Sequence, residues 1–285
     1  MYEIHPEGVM PRNVKNGVYG TVFQVYIDNK RFAVKRQRRF NPLIPVQEVE
    51  ILSQLEHDNI VSVKEHIITQ SLDGAVFFSN LIMEYMPMTL LDYVSRMHPL
   101  SLEKIKSITF QIFTTLDYLH ENNIMHRDIK PSNILYNPHI NQVKICDFGQ
   151  AKRVGQSFNQ SYVCARFYRA PELILGIETG KCNDVWSAGC VMGTLIVGYH
   201  IFAGNDTPSQ LTMITSLLGM SGAVARYVTG EGKAIMPKVS FYKALKKRNP
   251  NITFETVQFL KRVLDTNYTT RPTAHLISRD WFFTE

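Results

Sequence analysis

Eight consecutive residues, His126-Arg127-Asp128-Ile129-Lys130-Pro131-Ser132-Asn133, constrain this chain more than any other stretch. They place a carboxylate, a cation two positions on and a side-chain amide five positions on in one short loop. In that arrangement Asp128 can accept a hydrogen bond from a hydroxyl group. Asn133 can reach round the loop to a metal ion, and Lys130 can neutralise negative charge that grows nearby. A polar surface loop without chemistry is the plain alternative. Fourteen residues after Asn133 comes Asp147-Phe148-Gly149, a second carboxylate close behind the loop.

Together these stretches resemble the H-R-D-x-x-x-x-N catalytic loop and the D-F-G of a eukaryotic protein kinase. The similarity runs from about Val14 to Trp281. Lys130, in a D-x-K-P-x-N setting, is the form seen in serine/threonine kinases. The resemblance implies Asp128 as base with Lys130 beside it, Asn133 and Asp147 as metal ligands, and ATP with Mg²⁺ as the bound pair. It also implies an α+β fold of two lobes: a small antiparallel sheet with one main helix, then a mostly helical lobe. The expected boundaries are 1–86 and 87–285, within one kinase domain of about 8–283.

Composition is compatible with that size. The chain has 285 residues, 45% of them hydrophobic and 11% aromatic, enough for a sizeable interior rather than a disordered segment. The longest apolar run, Ser187 to Gly198, is too short to span a membrane and suits a buried helix. No basic stretch followed by an apolar one opens the chain, so no secretory signal is expected and the setting is cytoplasmic, nuclear or both. Cys146, Cys164, Cys182 and Cys190 form no CxxC pair and read as reduced thiols. The net charge of +6 permits acidic or phosphorylated partners. The basic clusters Lys35–Arg39 and Lys243–Arg248 lack interleaved aromatics and read as solvated faces, not as a nucleic-acid surface.

Around Asn13 to Val25 the alternation predicts the two strands of a hairpin. A kinase glycine-rich loop reads G-x-G-x-x-G-x-V; here Gly17, Gly20 and Val22 match, Lys15 stands in place of the first glycine, and Val14 precedes it. Glycine serves there because backbone N–H groups must approach phosphates closely. Phe32-Ala33-Val34-Lys35 matches the V-A-I-K strand, with Ala33 packing on adenine and Lys35 on phosphates. Lys35 needs an anionic partner. The family pattern selects Glu48 on the next helix, with Glu50 turned to another face. Met83 falls at the gatekeeper position, and Glu84-Tyr85-Met86 at the hinge whose backbone meets adenine.

Further on, Leu102 to Glu121 reads as an amphipathic helix with Ile105, Ile108, Ile112, Leu116 and Leu119 on one face. Leu135 resembles the residue that floors the adenine pocket. The ending Arg166-Phe167-Tyr168-Arg169-Ala170-Pro171-Glu172 looks like the group holding cyclin-dependent, mitogen-activated and glycogen synthase kinases. Ser161-Tyr162-Val163-Cys164, the hinge continuation and Asp147 to Lys152 are most similar to glycogen synthase kinase-3. That resemblance implies Tyr162 as a phosphorylated regulator and a three-cation pocket for a phosphate already on the substrate. Arg127 and Lys152 match two of its members; the third falls at Gln47, which is neutral, so primed recognition is expected to be weakened. Arg127 has a plainer reading as a tie from loop to activation segment. Asp184 is expected to brace the catalytic loop, and Arg271 to pair with Glu172. Thr207 to Leu218 and the loop-like stretch 219–238 fall where this group carries an insert that often docks partners.

The leading function is therefore ATP-dependent phosphorylation of protein serine or threonine by a monomeric kinase, with protein substrates and scaffold proteins on the large lobe as partners. A catalytically silent kinase-fold scaffold, or another kinase of the same group, is the alternative.

Overall fold

The structure, a computed structural model, describes residues 15–17, 20–41, 43–156, 165–177, 179–231 and 233–284. Val14 and Tyr162 lie outside the described residues, and of Gly17 only the backbone is described. The chain divides into two compact units, Met1–Pro87 and Met88–Glu285.

In the first unit, strands β1 (Lys15–Gly17), β2 (Gly20–Ile27), β3 (Lys30–Arg39), β4 (Val63–Gln70) and β5 (Phe77–Glu84) form an antiparallel sheet in the order β1-β2-β3-β5-β4. Alternation puts Val25, Val34 and Ile82 into its core, with Phe23, Phe32 and Ile67 packed around them. Helix α1 (Gln47–Leu52) is shorter than the pattern running towards Val61 suggests. The carbonyl of Glu50 is taken by the side chains of Ser53 and Gln54, which compete with the next helical turn. The solvated-face reading of Lys35–Arg39 needs correction. Lys35 is buried, and Arg36 donates to Asn80 at 2.7 Å between the rings of Phe23 and Phe78. Burial lowers the Arg36 pKa.

The second unit contains β6 (Met88–Thr89), α2 (Leu90–Met97), α3 (Leu102–Glu121), β7 (Ile124–Met125), β8 (Ile134–Asn137), β9 (Gln142–Ile145) and β10 (Lys152–Arg153). Helices α4 (Pro171–Ile174), α5 (Cys182–Val197), α6 (Thr207–Leu218), α7 (Gly222–Thr229), α8 (Phe241–Lys246), α9 (Phe254–Val263) and α10 (Ala274–Ser278) follow. The expected apolar face of α3 is buried throughout. Helix α5 is buried along nearly its whole length, and its glycines permit close approach of neighbours. A Cβ on Gly189 would meet Val263 and Leu264 at 2.8 Å, and one on Gly193 would meet Ile201 at 2.8 Å. Gly198 ends the helix at φ 85°, where a glycine carries no steric cost. The stretch 219–238 is not simply loop: it contains α7, whose Val224 and Ala225 pack with Met220. Its glycines obscure that short apolar periodicity. Lys243, Lys247 and Arg248 on and after α8 are exposed, as a solvated face requires.

Candidate active site

In the first unit, Lys35 sits on β3 opposite Val22 of β2 and Leu81 of β5. Its Nζ donates to both carboxylate oxygens of Glu48, at 2.8 and 2.7 Å, and both residues are buried. Glu50 is exposed, so the choice of Glu48 as partner follows the helix geometry. Ala33 pairs with Met83 across β3 and β5, and Met83 is buried. Glu84 and Met86 are half-buried, and the Glu84 carboxylate accepts the Ser62 N–H at 2.7 Å. Gly20 has a reason of its own to be glycine: at φ 138° its Cβ would lie 2.4 Å from the Arg36 carbonyl oxygen.

In the second unit, Asp128 is buried and its carboxylate is held at both oxygens. Oδ2 accepts from Lys130 Nζ at 2.6 Å and from Asn133 Nδ2 at 2.8 Å; Oδ1 accepts the Ala165 N–H at 3.3 Å. The short 3₁₀ turn Pro131–Asn133 brings positions 128 and 133 together. Asn133 spends its amide nitrogen on Asp128, which leaves its carbonyl oxygen as the atom suited to a hard cation. Asp147 is half-buried and left-handed at φ 65°. Arg127 is also left-handed, at φ 67°. A non-glycine residue pays about 1–3 kcal/mol for such a conformation, which persists only where surrounding contacts dictate it. For Arg127 the contact is Asp184 of α5, which accepts the backbone N–H groups of His126 at 2.9 Å and Arg127 at 2.8 Å.

Several contacts have no signal in the sequence. His126 Nε2 donates to the Cys146 carbonyl at 3.1 Å, its Nδ1 accepts the Asp128 N–H at 3.2 Å, and its ring packs edge-on against Phe148. One imidazole thereby joins the catalytic loop to the D-F-G. His120 of α3 donates to Asp184 at 3.1 Å. Leu135 on β8 is half-buried and pairs with Thr89 and Lys144. Lys152 on β10 pairs with Met125 of β7, two residues before Arg127, whose guanidinium donates to the Gln150 carbonyl at 3.4 Å. Arg271 forks onto Glu172 at 2.5 and 2.9 Å, with both side chains fully buried, as the resemblance implies.

The family described as protein kinase domain matches residues 11–283. The chain belongs to the protein kinase family. Three relatives come from Saccharomyces cerevisiae. Against the serine/threonine-protein kinase RIM11/MSD1 the chain is 36% identical over 270 residues, covering 88% of this chain and 70% of the relative. Against the glycogen synthase kinase-3 homolog YGK3 it is 34% identical over 287 residues, covering 95% and 76%. Against the protein kinase MCK1 it is 39% identical over 222 residues, covering 73% and 58%. This kinase is accordingly a serine/threonine protein kinase of the glycogen synthase kinase-3-like kind. Kinases of this family use ATP and a divalent metal and act on proteins. Among the described residues no helix is long and apolar enough to cross a membrane.

Proposed function

We propose that this kinase transfers the γ-phosphate of ATP to serine or threonine hydroxyls of proteins, with Asp128 as the base. The observation that carries the proposal is the two-sided restraint of the Asp128 carboxylate by Lys130, Asn133 and the Ala165 amide. A carboxylate held in this way can orient an acceptor hydroxyl without reorganising as the reaction proceeds. Lys130, already on Asp128, balances charge that develops on the phosphoryl group. Asn133 and Asp147 supply oxygen donors of the kind that suits Mg²⁺, which neutralises phosphate charge when bound. Lys35, oriented by Glu48, would hold phosphate oxygens. Gly17, Gly20, Val22, Ala33, Met83, Glu84, Met86 and Leu135 would line the nucleotide, with Val14 ahead of them.

Arg127 and Lys152 would receive a phosphate already on the substrate. Gln47, the first residue of α1, lacks the third charge, so primed substrates gain less here than a full cationic trio would give. Tyr162 would be the regulatory phosphorylation site. The kinase's setting would be the cytoplasm, the nucleus or both.

The test is transfer from labelled ATP with Mg²⁺ to myelin basic protein and to a matched primed and unprimed peptide pair, with Asp147→Ala as blank. Transfer above the blank on serine or threonine is expected, and Asp128→Asn should lower turnover by about 10²–10⁴-fold. Unchanged turnover in Asp128→Asn would remove Asp128 as the base; wild-type transfer no higher than the blank would sink the whole reading.

A further inference from the structure

Oδ2 of Asp128 is held from within its own loop, by Lys130 and Asn133. Oδ1 depends on Ala165, 37 positions further on. Ala165 opens the 3₁₀ turn Arg166–Tyr168, so the geometry at Oδ1 depends on what anchors that turn.

Among the described residues, three side chains are seen to anchor it. Ser187 of α5 donates its hydroxyl to the Tyr168 carbonyl at 2.8 Å. The Arg166 guanidinium donates to the Asn205 carbonyl. The third is His200, in the connection between α5 and α6, and it touches both aromatic residues of the turn. Its Nδ1 lies 2.9 Å from the Tyr168 hydroxyl, and its ring lies over Phe167 with centroids 4.4 Å apart and planes 32° from parallel. Burial lowers the His200 pKa, which favours the neutral ring whose Nδ1 accepts the Tyr168 proton. The Ser187 and Arg166 anchors grip the turn by backbone carbonyls or at its exposed side; His200 alone of the three takes hold of the Tyr168 side chain.

We propose that His200 is a positioning residue for phosphoryl transfer: through the Tyr168 hydroxyl it fixes the Arg166–Tyr168 turn, and so keeps the Ala165 amide on Oδ1 of Asp128. The catalytic part of this proposal rests on the reading of Asp128 as base. The positioning part does not.

The experiment uses the whole chain as wild type, His200→Ala, His200→Phe, His200→Asn and Tyr168→Phe. Steady-state kinetics on a peptide and hydrogen exchange of the backbone amides of 165–168 are measured on each. Phenylalanine keeps a ring against Phe167 but removes the acceptor; asparagine places an oxygen near the position of Nδ1. His200→Phe and Tyr168→Phe should each lower kcat about 3- to 10-fold, the scale of one lost hydrogen bond, with KM for ATP unchanged. Both should speed exchange at 165–168, and combining them should add nothing further. His200→Asn should recover most of the loss in both readouts. His200→Phe matching wild type, or additive losses in the double variant, would overturn the proposal in favour of simple ring packing. Exchange at 165–168 decides the positioning role even if His200→Ala folds poorly. A wild type without transfer would fail the kinase reading separately, with exchange still deciding His200.

Discussion

The carboxylate of Asp184 accepts the backbone N–H of Arg127 at 2.8 Å across 57 positions of chain. That bond, with its twin to His126, holds Arg127 in a left-handed conformation and sets where Asp128 emerges. Asp184→Asn leaves one acceptor oxygen for three buried donors, the N–H groups of His126 and Arg127 and the ring of His120. It should cost about 2 kcal/mol or more of stability and lower kcat, measured by denaturant unfolding beside peptide kinetics. Unfolding and turnover both equal to wild type would show that the brace is dispensable.

The same residue gives a pH dependence. Burial alone would raise the Asp184 pKa, but the His120 hydrogen bond, the electrostatic influence of the His120 and His126 rings and the Arg127 N–H outweigh it and hold it below its ordinary 3.8. A depressed carboxyl pKa contributes stability that is complete above the unfolded value and is lost as pH falls through the folded one. The stability gap between wild type and Asp184→Asn should therefore shrink as pH falls below about 4, where the carboxyl takes up its proton. A gap that widened as pH fell below about 4 would contradict the sign.

Lys35 and Glu48 share two charged hydrogen bonds in a buried setting. Glu48→Gln removes the charge from one side while preserving shape. Loss of kcat/KM for ATP of about 10- to 100-fold is expected, the scale of a hydrogen bond between charged groups, with the fold intact by circular dichroism. An unaltered kcat/KM would mean that the pair is structural only.

Arg271 makes a fork to Glu172 and also donates to the carbonyls of Asp265 and Cys182. Lysine cannot reproduce that fork. Arg271→Lys should destabilise by about 3–5 kcal/mol, because Glu172 is left buried without its full partner, while turnover at permissive temperature survives. A wild-type midpoint in urea would refute this account of the pair.

Gln47→Arg should raise activity on a pre-phosphorylated peptide more than on its plain counterpart. Guanidinium binds phosphate through paired, charge-assisted bonds that a glutamine lacks. Equal gains on both peptides would count against an incomplete phosphate pocket.

Much was legible in the order of residues, because those features are local or carried by side chains the chemistry demands. The eight residues from His126 to Asn133, the D-F-G and Lys35 stand in short motifs that resemble those of protein kinases, and the family pattern singles out Glu48 over Glu50. The apolar stripe of α3 and the buried run of α5 are equally local, since burial of one face is written into a 3.6-residue period. Tertiary structure alone decided the rest. The Ala165 amide on Asp128, the His126 link to Cys146 and Phe148, the Arg36 stack between two rings, and His200 beneath the Arg166–Tyr168 turn join positions far apart in the chain. Many of those bonds use backbone groups, which every residue carries alike. No side-chain pattern can announce a backbone partner; only the folded path that closes the distance can select it.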